Sequence, residues 1–266
     1  MVLLNQIRSA HKCELWCGGV RVLHNGPVTA TATASGLHER VLSQLGPAVV
    51  SGELAEGDVI TIDQISQQYG VSRTVARDVI KVLESLQVVT TRRRIGVTVS
   101  PRSDWNAFDP RLVRWRLAGP DRAGQLRTLS ELRRGVEPVA AALAAAHATP
   151  EQCGELTAAV IGMSVTGRQG DLEAYLQHDI RFHCVLLTAS GNDMFAALSS
   201  VVSEVLAGRT HHDLMPAHPE PTAIRLHGDV AEAVASGDAA RAEQAMRAIA
   251  VEAQQAMEAA SPAGRP

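Results

Sequence analysis

Residues 62–99 restrict this chain more than any other stretch. A short amphipathic run, 62–69, ends at Gly70-Val71-Ser72, a tight turn whose serine hydroxyl can accept from the free N–H groups of a following helix. The next run, 73–85, has two faces. Val75, Val79, Val82 and Leu86 recur at three- and four-residue spacing and are expected to point into a core. Arg73, Arg77 and Lys81 stand four apart and line the opposite, solvent side. Two β-branched segments, 88–91 and 97–99, flank Arg92-Arg93-Arg94-Ile95-Gly96 and read as a hairpin with a basic tip. Helix, turn, helix and basic hairpin describe a winged helix-turn-helix. In that arrangement the second helix would enter a DNA major groove and the wing would follow the phosphates.

A run of charges on a helix is ordinarily a solvated face and nothing more. Here it comes with a capped turn and a three-arginine hairpin tip, which the bland reading leaves unexplained. The formal net charge of -3 excludes a chain that is basic throughout, but charge distribution matters more than its sum. Between Arg73 and Arg94 the six cations Arg73, Arg77, Lys81, Arg92, Arg93 and Arg94 face only Asp78 and Glu84.

The string GVSRTVARDVIKVLESLQVV, with the wing glycine after it, resembles the winged helix of GntR-family transcription regulators. The remainder of the chain resembles the FadR subfamily, whose C-terminal half is an all-helical effector domain. The resemblance runs from about residue 37 to 257 and implies that Ser72, Arg73, Thr74 and Arg77 read DNA, with Gly96 at the wing. Lys81, Arg92, Arg93 and Arg94 would add salt-dependent phosphate affinity. Thr61 would cap the helix before the turn. The chain departs from the family at Asp63, where many relatives carry an arginine; an acid there would forfeit a DNA contact.

The expected fold is mainly α: an N-terminal winged helix-turn-helix and then an all-α antiparallel bundle. Only 3% of residues are aromatic while alanine and leucine abound, which favours helices over sheets. Residues 1–36 read as a disordered extension, 37–100 as the winged helix, 101–109 as a linker, 110–260 as the effector and dimerisation domain, and 261–266 as a tail. Trp105, Phe108 and Trp115 are expected to pack where the domains join. Breaker and cap pairs (Thr149-Pro150, Gly170-Asp171, Gly191-Asn192, Gly237-Asp238) divide the second half into helices near 123–146, 150–166, 171–189, 192–206, 220–235 and 238–258. Four cysteines in a chain this long make no disulfide framework, and Cys13, Cys17 and His11 lack the spacing of a zinc knuckle. No apolar run reaches spanning length, so a cytoplasmic protein without membrane contact is expected.

Asp179 and His183 are four apart, on one helix face, and could share a divalent ion. Alone such a pair is a weak signal. In FadR-type effector domains, however, this motif supplies two metal ligands, and the resemblance carries a third onto His227. The family's fourth, a histidine in the last helix, falls at Ile249, which cannot ligate. Zinc, nickel or manganese would suit the remaining set about equally. Alternatively Asp179, His183 and His227 hydrogen-bond an effector directly. Arg133 matches a pocket arginine of the family and suits a carboxylate; Glu137, one turn on, could orient it.

The expectation is a homodimeric DNA-binding regulator, a repressor released from a pseudo-palindromic operator of a metabolic operon by a small carboxylate such as a sugar acid. A metal-sensing regulator is the alternative. A metal-dependent enzyme acting on a small acid is disfavoured, because no nucleophile or general base accompanies Asp179, His183 and His227 and no phosphate-binding glycine loop is present.

Overall fold

The computed structural model describes residues 34–212, 214–216 and 219–260. The bulk of the expected N-terminal extension and the tail 261–266 lie outside the described residues. The chain divides into two compact units, with the boundary at Asn106 and Ala107.

The first unit runs α1 (Ala34–Val50), β1 (Val59–Ile60), α2 (Ile62–Tyr69), α3 (Arg73–Ser85), β2 (Val89–Arg92) and β3 (Gly96–Val99). Helix α1 starts three residues inside the segment expected to be disordered. Both α2 and α3 are bounded by local chemistry. Thr61 Oγ1 accepts from the Gln64 N–H at 3.2 Å while Gln64 Oε1 accepts the Thr61 N–H at 2.7 Å, a reciprocal capping box. Gly70 closes α2 in the left-handed region, at φ 63°. Ser72 Oγ accepts the Val75 N–H at 3.3 Å and opens α3.

The buried face of α3 is Ala76, Val79, Ile80 and Leu83, with Leu86 just beyond. Val75 and Val82 are only half-buried, so the expected stripe is rotated. Ala76 is sealed from solvent, as are Val41, Leu42 and Leu45 of α1, which packs on α3.

The wing is a three-stranded sheet rather than a two-stranded hairpin. Its order is β1-β3-β2, both pairings antiparallel, with Ile60 opposite Val97 and Arg92 opposite Gly96. Gly96 sits at φ 121°, and a Cβ there would stand 3.0 Å from the Ile60 carbonyl oxygen. The glycine is therefore required by the approach of β1, inside the protein. Gly96→Ala is expected to lower the stability of this unit by about 1–3 kcal/mol through backbone strain, measured by chemical denaturation; an unchanged midpoint would count against this account.

Most of the expected linker is tied down. The Trp105 indole N–H donates to the Ser100 carbonyl at 3.1 Å, and the Asn106 N–H donates to the Leu86 carbonyl at 3.0 Å. Phe108, in contrast, is 57% exposed.

The second unit contains no strand among its described residues. It runs α4 (Pro110–Ala118), α5 (Arg122–His147), α6 (Pro150–Gln169), α7 (Leu172–Ala189), α8 (Asp193–Ala197), α9 (Ser199–His211), α10 (Pro221–Ser236) and α11 (Ala239–Ala260). One expected helix, 192–206, is in fact two. The Leu198 N–H bonds back to the Phe195 carbonyl, a tightened last turn that ends α8 and redirects the chain. Helix α9 then runs on to His211, which is paired with Glu173 at 3.0 Å. The main core joins α5, α6, α7, α10 and α11 around Leu156, Met163, Phe182 and Leu186, with alanines filling the closest approaches.

Candidate nucleic-acid interface and a buried polar cavity

Arg73, Thr74, Arg77 and Lys81 all lie on the exposed face of α3, with Ser72 at its head. Lys81 pairs with Asp78 at 2.9 Å, so the neighbouring acid is taken up by the lysine. Glu84 is occupied too, accepting the Thr91 N–H at 2.9 Å and tying α3 to β2. Arg77 has no ion-pair partner among the described residues. Arg73 does: its Nη2 stands 2.9 Å from the Asp63 carboxylate. Arg92, Arg93 and Arg94 are exposed at the wing, where Arg94 turns the chain at φ 69° and Ile95 stands 54% exposed.

The second unit encloses the other candidate site. Asp179 and His183 on α7 meet His227 on α10, each offering one ligand atom within 4.8 Å of the others. Arg133 and Glu137 come from α5, Arg209 from α9, and Ile249 and Glu252 from α11. All but Glu252 are buried.

Hydrogen bonds set which ring nitrogens can bind. The His227 Nδ1 lies 2.7 Å from the Ala223 carbonyl oxygen, so this nitrogen carries the proton and donates. In the neutral ring Nε2 is then a lone pair, and it faces Asp179 Oδ1 at 3.3 Å. Arg133 donates toward His183 Nε2 at 3.3 Å, while the Glu137 carboxylate lies 3.3 Å from Nδ1. His183 Nε2, 3.4 Å from the same Asp179 oxygen, is thus an acceptor already met by Arg133. Two unsatisfied acceptors, Asp179 Oδ1 and His227 Nε2, face each other beside it. Such a cluster requires a cation, either extra ring protons or a metal ion.

Ring protons would meet that need: burial alone would raise the Asp179 carboxyl, yet hydrogen bonds and charge from protonated His183 and His227 hold it well below its ordinary range. Burial acts the same way on Glu137, and Arg133 with His183 outweighs it, keeping that carboxyl at about 2. Arg133 is bound bidentately, Nε to Oε1 at 2.8 Å and Nη2 to Oε2 at 3.1 Å. Glu137 therefore orients Arg133 and contacts His183 besides.

Arg209 escaped sequence reading. It is buried, lines the same cavity, and its Nε has no hydrogen-bond partner. Burial, and then the charge of Arg133, lower its guanidinium below the ordinary value. A signal was there: Arg209 continues the buried stripe of Val202, Val205 and Leu206, where a cation has no reason to be unless it faces a polar space. Ile249 faces the cavity where the family's fourth ligand would fall. Arg181 turns outward to Glu155, and Asn192 caps α8 through Oδ1.

A winged helix with an unpaired cation on its second helix, in one chain with a helical domain built around a buried polar cavity, defines a DNA-binding transcription regulator. Residues 37–99 match the gntR family of bacterial regulatory proteins and residues 128–260 match the FCD domain; the chain belongs to this family, one of transcription regulators and not of enzymes. It is 26% identical over 209 residues to the galactonate operon transcriptional repressor of Escherichia coli K12, covering 78% of this chain and 90% of that one. It is also 26% identical over 209 residues to the uncharacterised regulator YieP of the same organism, covering 77% and 89%. The structure of Lar, which controls the agr system of Listeria monocytogenes, superposes with a TM-score of 0.54 at 17% identity, covering 88% of this chain and 100% of that one; this likeness concerns the fold. No helix among the described residues is long and apolar enough to cross a membrane.

Proposed function

We propose that this regulator represses a sugar-acid operon as a homodimer, binding a pseudo-palindromic operator and releasing it when a polyhydroxy monocarboxylate enters the cavity of the second unit. Arg73, Arg77 and Thr74 read base edges, Ser72 positions the helix, and Lys81, Arg92, Arg93 and Arg94 grip phosphates. Asp179, His183 and His227 hold a divalent ion. The observation that carries this reading is the set of unsatisfied buried groups in one space: Asp179 Oδ1 and His227 Nε2 call for a cation, and the Arg209 Nε calls for an anion.

The residue types fit zinc, nickel or manganese, with Ile249 leaving coordination positions to water or to effector oxygens. When bound, such an ion supplies Lewis-acid anchoring for a carboxylate and a neighbouring hydroxyl. The protein's own groups do the rest: Glu137 fixes Arg133, while Arg133 and Arg209 receive the acid. Charge favours one carboxylate over two. Arg133 and Arg209 stand against Glu137, Asp179 and Glu252, so a divalent ion leaves a single positive charge for the effector to neutralise. The name of the Escherichia coli relative, a galactonate operon repressor, is in keeping with that class.

The test is fluorescence anisotropy of the full chain on DNA from around its own gene. Galactonate and gluconate should release the DNA in the presence of zinc, and galactarate, a dicarboxylate, should be at least tenfold weaker. Release by zinc alone would favour a metal sensor. No release by any of the three acids would sink the reading, and light scattering that finds only monomer on the DNA would remove the dimer.

A further inference from the structure

We infer that Asp63 sets the DNA selectivity of this protein by neutralising Arg73 until Arg73 meets a base edge. The inference rests on the reading of α3 as the DNA-reading helix and goes beyond it, since Asp63 belongs to α2. Asp63 lies in the first turn of α2 and Arg73 in the first turn of α3, so the pair links the N-terminal ends of the two helices. The Arg73 Nη2 is 2.9 Å from one Asp63 carboxylate oxygen and 3.0 Å from the other, and both side chains remain mostly exposed. The pair therefore stands at the front of the unit, beside Thr74 and Arg77.

An exposed ion pair of this kind adds almost nothing to stability in water, so the fold does not account for it. Its effect belongs to DNA binding. Non-specific binding runs on released counterions and counts net positive charge near phosphate. Asp63 and Arg73 together count as zero, and a carboxylate in that position is itself repelled by the backbone. Base reading works differently. Only Nη2 is engaged by Asp63, and both two-donor edges of the planar guanidinium use Nη2, with Nε or with Nη1. A guanine edge offers two acceptors in matching geometry, so Arg73 turns from Asp63 only where a guanine replaces the ion pair it gives up. Asp63 thus weakens binding to arbitrary DNA more than binding to the operator. The unselective attraction falls to the exposed wing cations Arg92, Arg93 and Arg94.

The experiment compares full-length wild type, Asp63→Asn and Arg73→Ala on the operator fragment and on a scrambled fragment of equal length, across a salt series. Asp63→Asn should tighten binding to scrambled DNA by about three- to tenfold and steepen its log–log salt dependence by about one, shrinking the operator-to-scrambled ratio. Arg73→Ala should weaken operator binding. An unchanged or enlarged ratio in Asp63→Asn, with Arg73→Ala weakened as expected, overturns the inference and leaves the reading of α3 standing. An Arg73→Ala protein that binds its operator normally overturns both.

Discussion

Replacing Arg73 and Arg77 together by alanine is expected to remove retention of the full-length protein on its operator. Each bidentate contact to a guanine contributes about 1–3 kcal/mol of discrimination, so losing two should weaken binding by roughly thirtyfold to 10⁴-fold. The unfolding midpoint should hardly move, because both side chains sit on the exposed face of α3 and the buried face is made by Ala76, Val79, Ile80 and Leu83. Anisotropy on operator DNA together with a thermal melt separates the two effects. Undiminished retention would mean that α3 is not the reading element. A fall in retention matched by an early melt would point to lost folding instead.

The second large effect is expected at Asp179. Its carboxylate oxygen is the one atom that both His183 and His227 face, so Asp179→Asn removes the charge that draws a cation between two lone pairs while keeping the side chain's size. Zinc affinity, measured by competition with a chromophoric chelator, should fall by more than about a hundredfold, beyond the 10–100-fold typical of losing an outer partner. Operator binding without effector should persist, because the substitution lies in the second unit and the reading helix in the first. Release by a sugar acid should be lost. A variant that keeps wild-type zinc affinity would show that the three side chains do not form the ion site.

The sequence was most readable where local chemistry decides the structure. Thr61, Gly70 and Ser72 bound α2 and α3 through side-chain caps and a left-handed turn, signals that need no knowledge of tertiary contacts. The triad Asp179, His183 and His227 was legible through the family resemblance; spacing alone gave only a weak pair. Packing was harder to read. Valines at 75 and 82 draw the eye as core residues, but Ala76 and Ile80 are the ones sealed from solvent. Strand β1 is two residues long and exists because β3 offers a free edge, a long-range cause with almost no local trace. The break at Leu198 has no glycine or proline to announce it. Arg209 was missed because a single arginine in a helix is usually at the surface; its phase with Val202 and Leu206 was the only clue.

The alanine-lined core of the second unit bears on how a small molecule could be felt at a distance. Ala141 and Ala144 of α5 and Ala242 and Ala245 of α11 belong to one buried cluster, and the same two helices carry Arg133 and Glu252 to the cavity. A methyl group has no alternative rotamer, so a displacement arriving at such a seam cannot be absorbed by side chains changing pose. Where α5 and α11 meet through these alanines, a shift of one helix at the chamber would be passed on as a shift of the other.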